Sequence, residues 1–258
     1  MRRLWTPLAA LALLWGAASS AGTTCATTVN VVPGGLQAAL DALSTTTVSG
    51  GDYCVMLGSG VYPESLSIQG VAFGDVFSRV VIVSTLPAGG ATIVGLSTTT
   101  PAFTIANASV TLQDVSIATT AGGGFAVGVA VSSSDVTLSS VTVVDPNGLI
   151  TSAGVSVTAD RVTIADSSIT ATGGSASALA ATDAAFLTVL RSTFTGNLDP
   201  GAVLTSVSSS TISSSYFGSN GGAVGLRLLS SPYNTVSQTT VSYSGATAPS
   251  RSTGPLTS

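Results

Sequence analysis

The sequence contains no lysine and no histidine. With neither base at hand, no serine can be activated as a nucleophile in the usual way, which excludes a Ser-His type hydrolase. Charged residues make up only 7% of the 258 positions, and every cation is an Arg. No basic patch exists to hold phosphates, so nucleic acid is excluded as a partner. Glu, Lys and Gln, which favour helices, are nearly absent, and a mainly helical protein is excluded with them. The low charge does not signal disorder, because hydrophobic residues reach 45% and the formal net charge is only −4. What remains is rich in β-branched residues, Ser and 29 Gly, a composition of strands and tight turns.

Residues 1–21 read as a secretory signal peptide. Arg2-Arg3 form its positive end, Leu4 to Trp15 a short apolar run, and Ala17 to Ala21 the small residues of a cleavage site. The run is too short for a comfortable membrane span, so none is expected after cleavage. Gly22-Thr23-Thr24 before Cys25 lack the usual lipidation context. Loss of Arg2 and Arg3 leaves five Arg against eleven acids, a formal charge of −6. Export places Cys25 and Cys54, the only two cysteines, in an oxidising compartment. A Cys25–Cys54 disulfide is the simplest expectation, with two buried free thiols as the alternative.

The second half of the chain repeats one pattern every 23 to 26 residues. Its central residues are Thr111, Thr137, Thr163, Thr188, Thr211 and Thr235, each flanked by apolar or small residues. A second apolar beat follows each, ending at Ile117, Val143, Ile169, Phe194, Phe217 and Val241. A third lies upstream: Phe103-Thr104-Ile105, Val129-Ala130-Val131, Val155-Ser156-Val157, Leu179-Ala180-Ala181, Val203-Leu204-Thr205 and Leu226-Arg227-Leu228. A fixed period in this range means a solenoid. Three strand beats per repeat make each repeat one rung of an all-β parallel solenoid. Alternation along a strand sends Leu112, Leu138, Ile164, Val189, Ile212 and Val236 inward and the Thr column outward.

Upstream, the rungs are irregular. Thr28 to Val32 reads as a strand, Pro33-Gly34-Gly35 as a turn, and Leu36 to Leu43 as a short amphipathic helix. Such a helix serves as a cap on the end rung, whose strand edge would otherwise face water. The domain reading is signal peptide 1–21, β-helix 22–243, and a flexible tail or linker 244–258.

Leu36-Gln37-Ala38-Ala39-Leu40-Asp41-Ala42, followed by Gly60-Val61-Tyr62-Pro63-Glu64-Ser65-Leu66-Ser67-Ile68, is similar to the opening of pectin methylesterases. The whole mature chain resembles the right-handed parallel β-helix, or pectin-lyase-like, superfamily. That resemblance implies a right-handed parallel β-helix with a short N-terminal capping helix. It does not carry over an active site. Pectin methylesterases use two Asp, paired Gln and an Arg on central rungs, and no such motif lies between Phe103 and Val203. The polygalacturonase group uses a His-containing motif, which this chain lacks. Pectate lyases need a Ca²⁺-binding carboxylate cluster and a basic residue, and no matching cluster stands out.

Four charged residues are surface-site candidates. Asp135 and Arg161 occupy equivalent places on adjacent rungs, as do Asp166 and Arg191, so each couple is expected to form a surface ion pair. A Ca²⁺ site drawn from Asp114, Asp145 or Asp166 would need about 6–8 oxygens, and no dense acidic loop supplies them. No cofactor is expected. The Thr column lacks the paired Thr per strand of ice-binding faces and is read as a structural ladder. Ser167, Ser192, Ser215 and Thr239 form an inward column at a turn, suited to satisfying backbone groups.

These readings point to a secreted or cell-surface β-helix protein, non-catalytic, that binds glycans or another surface. The alternatives are a polysaccharide-active lyase or esterase, which at least three convergent Asp, Arg or Gln side chains in a groove would favour, and a module of a longer surface protein. Oligomeric state is not legible.

Overall fold

The computed structural model describes residues 25–86, 90–221 and 223–243. The expected signal peptide and the tail at 244–258 lie outside the described residues.

Three parallel sheets wind around one core. Face I has nine strands: Cys25–Val31, Asp52–Leu57, Val80–Ser84, Val110–Gln113, Val136–Ser139, Val162–Ala165, Thr188–Leu190, Thr211–Ser213 and Thr235–Ser237. Face II has eight, from Gly60–Tyr62 to Thr240–Val241, and face III seven, from Leu66–Gln69 to Leu226–Leu229. Each complete rung contributes one strand to each face in turn. No rung can bury its apolar side chains alone, so neighbouring rungs bury them together.

The register stacks like on like. Thr111 pairs with Thr137, Thr137 with Thr163, Thr163 with Thr188, Thr188 with Thr211, and Thr211 with Thr235. One residue on, Leu112, Leu138, Ile164, Val189 and Ile212 form a buried column that ends at the half-buried Val236. On face II, Phe194 and Phe217 stack with ring centroids 5.0 Å apart and planes 6° apart.

One expected register is off by a residue. The sequence pattern puts the fifth beat of face III at Val203-Leu204-Thr205, but Ala202 is the partner of both Leu179 and Leu226. Ala202 and Leu204 therefore face inward, while Val203 faces out. The reason lies at Gly201. A Cβ there would meet the carbonyl oxygens of Gly218 at 2.6 Å and of Gly225 and Phe194 at 2.8 Å. The bare backbone lets the strand start one residue early, and alternation fixes the rest.

The N-terminal end is closed by the helix Leu36–Leu43, which buries Leu36, Leu40 and Leu43. The residues that carried the family resemblance hold this cap in place. Glu64 accepts hydrogen bonds from the amides of Gly34 (3.0 Å), Leu36 (3.4 Å) and Gln37 (2.8 Å), satisfying the donors at the helix start. The Gln37 amide donates to Ser67 O at 3.0 Å and accepts from Ser67 N at 2.8 Å. It pairs with the open edge of face III as a neighbouring strand would. Buried Tyr62 donates its hydroxyl proton toward the carbonyls of Val31 and Gly58, both at 2.9 Å. Cys25 and Cys54 form a disulfide that ties the first strand of face I to the second.

Candidate functional site

The corners on either side of face I repeat one backbone conformation. Asp135, Arg161, Phe186, Ser209 and Tyr233, each just before a face I strand, have φ between 52° and 61°. Asp114, Ser140, Asp166, Arg191, Ser214 and Gln238, just after one, have φ between 46° and 56°. Left-handed backbone costs a non-glycine residue roughly 1–2 kcal/mol, and here it turns the chain while aiming successive side chains outward in register.

This stacking forms the two ion pairs. Arg161 donates from Nε (2.7 Å) and Nη2 (2.9 Å) to the two carboxylate oxygens of Asp135. Arg191 makes the same fork to Asp166, at 2.7 Å twice. Both pairs are more than 40% exposed. They sit on opposite edges of face I, so the four candidates do not converge on one centre. The Arg161 hydrogen bonds hold the Asp135 carboxyl below its ordinary value.

The Asp135–Arg161 pair borders a hollow. It lies over face I, has a volume of about 420 Å³, and is floored by Thr137 and Thr163. Ser109, Asp135 and Arg161 form one side, and Val76 to Arg79 the other. A second hollow of about 480 Å³ continues from it past Asp75 to Phe73. Together they make an open groove over the middle strands of face I, the third to the sixth of nine. Two members of the Thr ladder, Thr137 and Thr163, thus line a groove, while Thr211 and Thr235 stand exposed beyond it.

The opposite wall was not assigned from the sequence. Val76 and Phe77 are 90% and 82% exposed, yet the loop that carries them is firmly held. Asp75 accepts from the amides of Gly50 (2.8 Å), Phe77 (2.9 Å) and Ser78 (2.8 Å), and from the Ser78 hydroxyl (2.9 Å). These bonds, the Gly50 amide first, bring the Asp75 pKa down to about 2. Ala72–Phe73 also pairs with Thr47–Val48, and Gly74 N donates to Val48 O at 2.8 Å. Arg79 reaches Asp52 at 3.3 Å. The signal in the sequence was an apolar pair inside a polar segment, Gly74-Asp75-Val76-Phe77-Ser78, in the irregular rungs.

The carboxylates considered for Ca²⁺ are apart. Asp145 is buried and its oxygens are taken. Oδ1 accepts from Thr119 Oγ1 (3.0 Å) and Leu149 N (2.7 Å), and Oδ2 from the amides of Ile150 (3.3 Å), Thr172 and Gly173 (both 3.0 Å). Asp166 is held by Arg191, and Asp114 accepts from Gln113 Nε2 at 3.0 Å. Among the described residues no three His, Cys, Asp or Glu side chains cluster so as to hold a metal ion.

The inward Ser column links rung to rung. Ser192 Oγ accepts from Ser167 N (3.1 Å) and donates to Leu190 O (2.7 Å). Ser215 repeats this toward Ser192 N and Ser213 O, and Ser167 toward Val141 N and Ala165 O. These hydroxyls serve the backbone and leave the groove to other residues.

A family model described as the right handed beta helix region matches residues 101–253, more than half of the sequence. The chain belongs to the right-handed β-helix family. No curated protein matches the sequence. Among solved structures, Escherichia coli YbhC is similar to the β-helix with a TM-score of 0.58 and 13% identity, over 92% of this chain and 74% of that one. The A-module of the Azotobacter vinelandii mannuronan C-5 epimerase AlgE4 matches with a TM-score of 0.34 and 13% identity, over 79% and 89%. Likeness at this level of identity concerns the fold. Among the described residues no helix is long and apolar enough to cross a membrane.

Proposed function

We propose that this β-helix is a secreted or cell-surface protein that binds a glycan in the groove between Phe77 and the Asp135–Arg161 pair. One observation carries the reading: an exposed aromatic side chain, on a loop pinned by hydrogen bonds to Asp75, lines the same hollow as a planar donor–acceptor pair and two Thr hydroxyls. An aromatic face covers the C–H face of a sugar ring, and a few placed polar groups fix its hydroxyls. The groove is open and runs over a flat sheet, which suits a polymer. The disulfide and the leader-like first residues favour an exported protein. A glycan array probed with the full mature chain tests the reading. Binding that Phe77→Ala and Arg161→Ala both weaken supports it, and retention of no glycan sinks it.

Asp135, Arg161 and Arg79 line the groove together, with Asp75 beside them, a convergence of Asp and Arg that also suits a polysaccharide-active enzyme. Binding without turnover is the better reading because these groups are committed. Asp135 and Asp75 have lowered pKa values, which makes them poor proton donors near neutral pH. Arg79 and Arg161 are each held by an Asp. Release of reducing ends or of unsaturated sugars, abolished by Asp135→Asn, would establish the enzymatic reading instead.

A further inference from the structure

We propose that the groove selects neutral polysaccharides and rejects polyanionic ones. This inference rests on the glycan-binding reading above and adds the class of ligand.

A polyuronate or sulfated chain carries repeated negative charges, and a groove that binds it must offer cations not already taken. The groove offers none among its described residues. Arg79 is held by Asp52 at 3.3 Å, and Arg161 is locked in a fork to Asp135. With Asp75 beside them, three carboxylates stand against two guanidinium groups. Asp75 stays ionised at any pH well above about 2. A polyanion laid here would meet a negative balance, and any guanidinium N–H it reached would belong to a cation already neutralised by a carboxylate. On the far edge of face I, Arg191 is likewise occupied by Asp166.

A neutral sugar fits the same features. Its C–H face lies against the ring of Phe77, with Val76 extending the apolar wall. Its hydroxyls meet the Asp135–Arg161 pair edge-on. The fork uses Nε and Nη2 of Arg161, which leaves Nη1 outside the pair as a donor, and each Asp135 oxygen keeps a second lone pair. That is one donor and one acceptor in a plane, a match for two adjacent hydroxyls. Thr137 and Thr163 add hydroxyls that donate or accept. The four hydrogen bonds to Asp75 fix the loop beforehand, so little ordering is required on binding.

The test titrates the full mature chain calorimetrically with hexasaccharides of glucose, mannose and xylose and with hexagalacturonate, at low and high NaCl. The expected result is binding of at least one neutral hexasaccharide with an affinity that salt does not change. Phe77→Ala should weaken it about tenfold or more, while Phe77→Tyr retains it. Phe77 is exposed, so thermal melting of each variant should match the wild type. Binding of hexagalacturonate that weakens with salt and is lost in Phe77→Ala would overturn the neutral selectivity and leave the glycan groove standing. Absence of binding to either class would overturn both. Flotation of the wild type, but not Phe77→Ala, with phosphatidylcholine vesicles would also overturn it, by assigning Val76 and Phe77 to lipid.

Discussion

Asp145 shows how a single buried charge organises a turn. Its carboxylate gathers one hydroxyl and four backbone amides from three successive rungs. No cation is needed, because five donors supply what water would. Asp145→Asn replaces one acceptor oxygen with an amide NH₂ group, itself a donor, that points at donors. The expected loss is about 2–4 kcal/mol of unfolding free energy, measured by denaturant titration. Asp75 is the half-buried counterpart. Its pKa lies near 2 in the fold, below the ordinary 3.8, so its contribution is present above about pH 4. It is lost as pH falls through about 2. Hydrogen exchange at Gly50, Phe77 and Ser78 should therefore accelerate at low pH, and Asp75→Asn should show the acceleration at neutral pH.

At the scale of elements, the N-terminal cap draws on residues far apart in sequence. Gln37, Glu64 and Tyr62 fasten a two-turn helix to the first rung, which explains why this pattern sits at the start of a β-helix without implying catalysis. The disulfide reinforces the same end by closing a span of 29 residues. Chain-entropy arguments put its worth at roughly 3–4 kcal/mol. Reduction, or a Cys25→Ser/Cys54→Ser double variant, should lower stability by about that amount and expose the first strand of face I to proteolysis. The helix and the beats were legible because apolar spacing differs between helix and strand. The fifth beat of face III was misplaced because Ala202-Val203-Leu204-Thr205 allows two alternations. Only the close approach of backbone at Gly201 chooses between them. The Ser column was legible too, since a small hydroxyl at a fixed place in successive turns can serve only the backbone it stacks upon.

At the scale of the whole solenoid, the first and last described rungs are unequal. The N-terminal rung has a helix and a disulfide. In the last described rung, Leu228 is 36% and Val241 49% exposed. Stability in a solenoid is a sum over neighbouring rungs, so a rung with one neighbour is the weakest. Hydrogen exchange should be fastest in Leu226–Leu229, Thr235–Ser237 and Thr240–Val241 and slowest in the rungs around Val136–Ser139. Uniform protection along the axis would contradict this. The corner pairs belong to this scale as well. Asp135 and Arg161 are 26 residues apart and meet because every rung turns with the same left-handed backbone.

The sequence alone determined the β-helix, its repeat, the Thr and apolar columns, the disulfide partners and the two ion pairs. All of these follow from a fixed period, since stacking brings residues one repeat apart into contact. Only the tertiary structure decided where the groove lies. Its aromatic wall comes from an irregular loop at Phe73–Arg79, and its polar wall from rungs that begin thirty or more residues later. No period relates them. Their approach depends on how far that loop leans over face I, which is set by Asp75, Gly50 and the small sheet beside them. The absence of free cations in the groove was likewise hidden, because a list of residues gives charges and the fold decides which are already paired.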